Sequence, residues 1–118
     1  MVFVACNENA TSEVSGGYFT VHFENPEDKE LAVEIVNFWK QEDLMTSKKQ
    51  DVKLVRSKGG YALYLIAPGR KSAEEMSFEE IQALIILQEE LNKTIFKDTG
   101  VNIVICNEMF KPLFEPNL

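Results

Sequence analysis

Apolar and polar side chains alternate along the segment that follows Gly17. Phe19, Val21 and Phe23 fall on one side of an extended chain, and mostly polar residues occupy the positions between them. Successive side chains of a β-strand point to opposite faces, so this period of two predicts a strand over residues 18–24 with one strongly apolar face.

A helix is predicted directly after this strand. Asn25 is a favourable N-cap, Pro26 suits the first helical turn, and two acidic residues follow where the positive end of a helix dipole would lie. Apolar residues then recur at helical spacing, at Leu31, Ala32, Ile35, Phe38 and Trp39. The pattern predicts a helix from Pro26 to about Asp43.

Two further β-like segments surround a short turn. Residues 52–57 alternate in polarity, and residues 61–67 are rich in leucine, isoleucine and tyrosine. The turn between them contains Gly59 and Gly60, which favour a tight reversal of the chain. These features predict a β-hairpin.

A second helix is predicted after a polar loop. Ser77 and Glu80 have the spacing of a capping box, and the apolar residues behind them occupy one helical stripe as far as Ile95. The helix is expected to end near Lys97, since Gly100 suits a left-handed stop.

A strand over residues 101–106 and an apolar tail over residues 109–118 complete the chain. The order β-α-β-β-α-β predicts an α+β fold of ferredoxin-like topology, with one antiparallel sheet and two helices on one of its faces. Residues 18–118 would form this single domain, and residues 1–17 a short N-terminal strand or a polar tether. The second strand would lie at a sheet edge, where basic residues such as Lys53 discourage unwanted pairing.

The composition is that of one globular domain with an acidic surface. The chain has 118 residues, of which 45% are hydrophobic and 26% charged, and its formal net charge is −7. Negative charge repels phosphate backbones, so nucleic acid is not expected as a partner, whereas a basic protein would be attracted. No apolar run reaches the length of a membrane span, and we expect no transmembrane segment.

Few residues of the kinds that build catalytic or metal sites are present. His22 is the single histidine, and Cys6 and Cys106 are the two cysteines, which excludes histidine-rich zinc sites and Cys-x-x-Cys motifs. Adjacent glutamates on a helix point about 100° apart, so the Glu-Glu pairs indicate a solvated face rather than an acid–base pair. We expect no metal, no cofactor and no catalytic residue of a known motif.

The sheet face that the helices leave uncovered is the candidate binding surface. Period-two alternation places aromatic and apolar side chains there, which is unusual for a face exposed to water. The candidate binding residues are Tyr18, Thr20, His22, Tyr64, Ile66 and Cys106. Three explanations remain open: the apolar tail folds over this face, two copies pack their sheets together, or the face binds a ligand.

The ligand explanation takes two forms. Aromatic residues on an open four-stranded sheet are similar to the base-stacking surface of RNA-recognition domains, but the acidic charge argues against RNA. A sheet-to-sheet dimer can instead enclose a pocket, as in dimeric α/β barrel proteins. His22 and Tyr64 would then supply the polar groups of an apolar cavity.

The leading hypothesis from the sequence is a small, acidic, non-enzymatic interaction module. It would self-associate as a homodimer, or bind a protein partner, through the open sheet face. The alternative is a cofactor-independent binding protein or enzyme of the dimeric α/β barrel type, in which His22 and Tyr64 contact a small apolar ligand.

A weaker alternative concerns the N-terminus. Residues 3–6 resemble the end of a bacterial lipoprotein signal, in which Cys6 would carry a lipid anchor and tether the protein to the cell envelope. The basic and long apolar parts of such a signal are not in the sequence, so we otherwise expect a cytoplasmic protein.

Overall fold

A computed structural model describes residues 12–67, 69 and 72–116 of the chain. This part is an α+β protein with two α-helices and a single six-stranded mixed sheet in the order β1-β2-β3-β4-β5-β6. The strands are β1 (Ser12–Gly16), β2 (Phe19–Phe23), β3 (Gln50–Ser57), β4 (Gly60–Ile66), β5 (Val101–Cys106) and β6 (Pro112–Phe114). The helices are α1 (Lys29–Gln41) and α2 (Phe78–Thr94), preceded by the 3-10 turns Pro26–Asp28 and Ala73–Glu75. No helix among these residues is both long enough and apolar enough to cross a membrane.

The chain divides into two compact units, Met1–Leu54 and Val55–Leu118, with the boundary inside β3. The first unit holds β1, β2, α1 and most of β3. The second holds the end of β3 together with β4, α2, β5 and β6. Each unit contains one β-α-β crossover, which connects β2 to β3 in the first and β4 to β5 in the second.

The core of the first unit lies between α1 and one face of β2. Phe19 stacks on Trp39 with ring centroids 4.5 Å apart, and Val21 and Ile35 are fully buried. The apolar stripe of α1 therefore packs on the apolar face of β2, as the sequence predicted. Gly16 lets α1 also lie close to β1, because a Cβ atom at residue 16 would lie 2.7 Å from Val36 Cγ1.

The core of the second unit lies between α2 and the strands β4 and β5. Leu63 and Ile103 are register partners on the parallel strands, and both are fully buried, as is Leu91 of α2. Just beyond α2, the rings of Phe96 and Tyr61 are tilted against each other at 5.4 Å.

Side-chain amides of α2 act as a substitute strand along the first half of β5. Asn92 Nδ2 donates to the Val101 carbonyl at 3.0 Å, and the Val101 N–H donates to Asn92 Oδ1 at 2.8 Å. The Ile103 N–H donates to Gln88 Oε1 at 2.7 Å. Alternate residues of a strand direct their backbone groups to opposite edges, so these groups point away from β4. The antiparallel strand β6 begins its pairing only at Ile105.

The predicted cap of the second helix is confirmed, whereas the predicted cap of the first belongs to the turn before α1. Asn25 Oδ1 accepts a hydrogen bond from the Glu27 N–H at 3.2 Å and so caps the 3-10 turn Pro26–Asp28, while α1 itself begins at Lys29. The Glu80 N–H donates to Ser77 Oγ at 3.1 Å, and the Ser77 N–H donates to the Glu80 carboxylate at 2.8 Å, which completes the capping box. Gly100 is left-handed, with φ of 83°, but α2 already ends at Thr94, so this glycine lies in the loop before β5 rather than at the predicted helix stop near Lys97.

The predicted ferredoxin-like order is not confirmed, because the sheet is mixed rather than antiparallel. β2 pairs in parallel with β3, and β4 pairs in parallel with β5. Each helix therefore returns the chain to the neighbouring position, whereas a ferredoxin-like crossover leaves room for one strand between. Hydrophobic periodicity identifies the strands but does not determine how far a crossover moves along the sheet.

Three further predictions differ from the structure or are refined by it. β3 lies between β2 and β4, so the assignment of the basic residues around Lys53 to a protected edge was wrong. β1 falls inside the segment that the sequence presented as a strand or tether, and β6 falls inside the apolar tail. Residues 1–11, the rest of the segment predicted as a short N-terminal strand or tether, lie outside the described residues.

Candidate functional site

The open face of the first unit is the side of β1, β2 and β3 that α1 does not cover. Thr20 and His22 lie on it, because they alternate with the buried residues of β2. Glu13 of β1 is the register partner of His22, and Asp51 of β3 is the register partner of Thr20. The register therefore gathers a histidine, a hydroxyl and two carboxylates on adjacent strands.

His22 lies between two carboxylates. Its Nε2 atom is 2.9 Å from Asp51 Oδ1, and its Nδ1 atom is 3.8 Å from Glu13 Oε1. The imidazole is 22% exposed, and Lys49 Nζ lies 3.9 Å from the second oxygen of Asp51. Chemically, this arrangement is a hydrogen-bonded cross-link between β2 and β3, with the Glu13 carboxylate of β1 close to the other ring nitrogen.

Two further polar contacts flank this cross-link. The hydroxyl of Thr20, which is buried, lies 2.8 Å from that of Ser15, and Lys53 Nζ lies 3.1 Å from Glu24 Oε2. The open face of the first unit is therefore polar and internally paired, whereas the sequence predicted an apolar surface. Tyr18 precedes β2 and is 62% exposed.

Glu13, Asp51 and Lys53 were not predicted from the sequence as neighbours of His22. The signal available was the alternation of β3, in which Asp51 and Lys53 flank the buried Val52. This alternation places Asp51 and Lys53 beside His22 only if β2 and β3 pair in parallel, and the expected topology did not contain that pairing.

The open face of the second unit is uncharged and, apart from Asn102, apolar. On β4 and β5 it consists of Ala62, Tyr64, Ile66, Asn102, Val104 and Cys106, which we call the apolar sheet face. Tyr64 is the register partner of Val104, and Ile66 is the register partner of Cys106. Tyr64, Ile66 and Val104 remain partly exposed.

Cys106 is completely buried, contrary to its expected place on an exposed face. Its thiol is free, and burial raises its pKa from 9.0 to about 11. Since the thiolate is the reactive form of cysteine, Cys106 is a structural side chain rather than a nucleophile. Cys6, the expected lipid-anchor residue, lies outside the described residues.

The structure thus brings Thr20 and His22 together in the first unit, and Tyr64, Ile66 and Cys106 together in the second. A pocket shared by His22 and Tyr64 stays a prediction, since these two residues belong to different units. No group of three or more metal-binding side chains was found among residues 12–67, 69 and 72–116.

A polar cleft of about 240 Å³ lies elsewhere in the second unit. It is formed by the turn between β3 and β4 and by the loop that precedes β5, and Lys58, Thr99 and Asn102 are among the residues that line it. Asn92 also lines the cleft, but its side-chain amide is already engaged by the backbone of β5.

Comparisons of the chain with protein families, with curated proteins and with solved structures found no match.

Proposed function

We propose that this chain is a small, acidic, non-enzymatic interaction module that forms a homodimer through the apolar sheet face of its second unit. The observation that carries the proposal is the chemistry of that face. None of its six side chains is charged, and Tyr64, Ile66 and Val104 are partly exposed to solvent. Burying such side chains against a partner is favourable by about 25 cal/mol for each Å² of apolar surface removed from water.

Charge favours a second copy of the chain as the occupant. Each copy carries a net charge of −7, so two copies repel each other over most of their surfaces. An uncharged face is where they approach with least repulsion, and a symmetric dimer brings the same face of both copies together. Homodimer interfaces are also more apolar than the average protein surface.

Two observations support a non-enzymatic role. Both ring nitrogens of His22 face carboxylates within the first unit, which fits a structural cross-link. The thiol of Cys106 is buried and protonated at neutral pH. A free thiol also fits the reducing cytoplasm, and we propose a cytoplasmic location on that ground.

Sedimentation equilibrium over a wide range of concentrations tests the homodimer. We expect the wild-type chain to have twice its sequence mass, and Val104→Lys to weaken the dimer at least tenfold, because each interface would then bury a lysine against its copy. Tyr64→Ser provides a milder second variant on the same face. The matched control is Val33→Lys, since Val33 is an exposed valine of α1.

The two possible failures are distinct. A wild-type chain that is monomeric at every concentration would overturn the proposal. So would a control variant that dissociates the dimer as strongly as Val104→Lys. Circular dichroism of each variant confirms that it is folded.

The alternative proposal is a small-molecule-binding protein that uses His22 and Tyr64. The hydrogen bond between His22 and Asp51 favours it, because a carboxylate that fixes an imidazole is a common arrangement in acid–base sites. NMR of the His22 ring during addition of small aromatic compounds tests this alternative. Shifts that vanish in Tyr64→Phe or Tyr64→Ala would support it, and unchanged ring resonances across a broad set of compounds would reject it.

A further inference from the structure

The helix α2 leaves much of its apolar surface outside the core. It has 17 residues, but only Ile81 and Leu91 are buried. The shorter helix α1 has 13 residues and buries five of them. Because α2 is long and apolar yet little covered, its solvent-facing side is the strongest remaining candidate for an interaction surface.

Phe78 and Ile86 dominate that side of α2. They are 61% and 52% exposed, respectively, and they are among the largest exposed apolar side chains of the described residues. Eight residues of an α-helix span about 12 Å along the axis and return to within about 80° of the starting direction. The two side chains therefore belong to one face, with the exposed residues Gln82 and Ala83 between them.

Exposed acidic side chains surround this apolar pair. Glu79 lies beside Phe78, and Glu89 lies one turn beyond Ile86. The basic residue of α2 itself, Lys93, is paired with Glu90 at 3.8 Å. We call Phe78, Glu79, Gln82, Ala83, Ile86 and Glu89 the outer face of α2; it combines an apolar centre with a negative rim.

We propose that the outer face of α2 binds a basic amphipathic helix of a partner protein. The apolar side chains of that helix would cover Phe78 and Ile86, and its lysine or arginine residues would meet Glu79 and Glu89. An amphipathic helix binds through apolar anchors at helical spacing, and Phe78 and Ile86 offer such a helix two apolar contacts about two turns apart along α2. The surface lies on a different element from the proposed dimer interface and does not depend on it.

Charge disfavours a second copy of this chain that packs with its outer face in full overlap. In an antiparallel pair of α2 helices centred on Leu84, Glu79 of one copy would face Glu89 of the other. A parallel pair would place each glutamate opposite itself. Like charges in direct juxtaposition are unfavourable, whereas a basic helix satisfies both glutamates.

The helix is also held in place before any partner arrives. Gln88 and Asn92 lie on its inner side and form hydrogen bonds with the backbone of β5. A surface that is already ordered loses little conformational entropy on binding, which favours affinity.

Fluorescence anisotropy with two synthetic peptides tests the proposal on the full chain. The first peptide is a helical 14-mer of leucine and lysine with an apolar stripe, and the second has glutamate in place of every lysine. We expect the lysine peptide to bind and its affinity to fall as salt is raised, because the rim contacts are screened. The glutamate peptide should bind at least tenfold more weakly.

Variants of the outer face locate the binding. Ile86→Ser, alone and combined with Phe78→Ser, should weaken the lysine peptide about tenfold or more. Glu79→Gln with Glu89→Gln should weaken it severalfold and reduce the salt dependence. Ile86→Ser is the safer variant, since Phe78 begins the helix.

The helix α1 supplies controls of the same chemistry. Val33, Glu30 and Glu34 are exposed on it, so Val33→Ser removes an exposed apolar side chain, and Glu30→Gln with Glu34→Gln removes the same two negative charges. We expect these controls to leave peptide affinity within about twofold. Equal losses in the controls, or equal binding of both peptides, would overturn the proposal as nonspecific attraction.

Sedimentation of the same variants tests whether the outer face of α2 binds a second copy of this chain instead of a basic partner. Variants of the outer face should leave the oligomeric state unchanged. If they dissociate a dimer instead, this face binds a second copy, and the proposal of a basic partner is wrong.

Discussion

Gly59 and Gly60 are neighbours in one turn, yet the structure requires glycine at each for a different reason. Gly59 has a φ of 71°, and a Cβ atom added there would meet nothing within 4 Å. A Cβ atom added at Gly60 would lie 2.4 Å from the carbonyl oxygen of Thr99 and 2.8 Å from that of Gly100. Substitution to alanine therefore tests strain at the first position and close packing at the second.

The expected magnitudes differ accordingly. At Gly59, the left-handed backbone costs an alanine about 1–2 kcal/mol, and the lower entropy of the unfolded chain returns about 0.4–1 kcal/mol, which leaves a loss of about 1 kcal/mol. At Gly60, the two backbone segments must separate by roughly 1 Å, at a cost of about 1–3 kcal/mol for overpacking. That shift also endangers the hydrogen bond from the Tyr61 N–H to the Gly100 carbonyl, at 3.0 Å, which contributes about 1 kcal/mol.

Urea unfolding followed by far-UV circular dichroism measures both losses. We expect Gly60→Ala to lower the free energy of unfolding by about 2–4 kcal/mol, clearly more than Gly59→Ala. Hydrogen exchange of the Tyr61 amide should accelerate in the Gly60 variant only. A Gly59 variant that is as destabilised as the Gly60 variant would refute the close-packing argument.

Three further predictions concern single contacts. Because burial raises the pKa of Cys106 from 9.0 to about 11, the unfolded chain loses this proton at lower pH than the folded chain. Stability should thus fall between pH 9 and 11, by on the order of 2–3 kcal/mol, in urea titrations of the wild type relative to Cys106→Ala. Asn92→Leu should lower the free energy of unfolding by about 2–3 kcal/mol and speed hydrogen exchange at Val101, because it leaves two backbone groups without partners. A double-mutant cycle of His22→Ala and Asp51→Ala should give a coupling of about 0.5–1 kcal/mol, and a coupling of zero would contradict the cross-link.

The sequence predicted the elements that have strong periodicity and clear caps. The second helix begins where Ser77 indicated, Asn25 caps the 3-10 turn that leads into α1, and the strands around Val21, Leu63 and Ile103 are present. The strand β6 was missed because it has three residues, the first of them a proline. The strand β1 was missed because most of its residues are polar and exposed, so its pattern is that of a loop.

Only those parts of the candidate site that depend on alternation within one strand were predicted. Alternation along β2 correctly placed Thr20 and His22 on one face. Their charged neighbours, Glu13 and Asp51, come from strands whose pairing depends on the sheet order, and a single sequence does not determine that order. Cys106 was expected on an open face, and its burial depends on packing that periodicity does not describe.

The amides that α2 presents to β5 have a consequence for solubility. An exposed strand edge is a template on which a strand of another molecule can add, and repeated addition leads to aggregation. Along the first half of β5 that template is already occupied, because Asn92 and Gln88 saturate three backbone groups of Val101 and Ile103. Protection of this edge rests on two neutral side chains rather than on a strand or a charge. A change at either residue would therefore expose the chain to self-assembly at concentrations that the native protein tolerates.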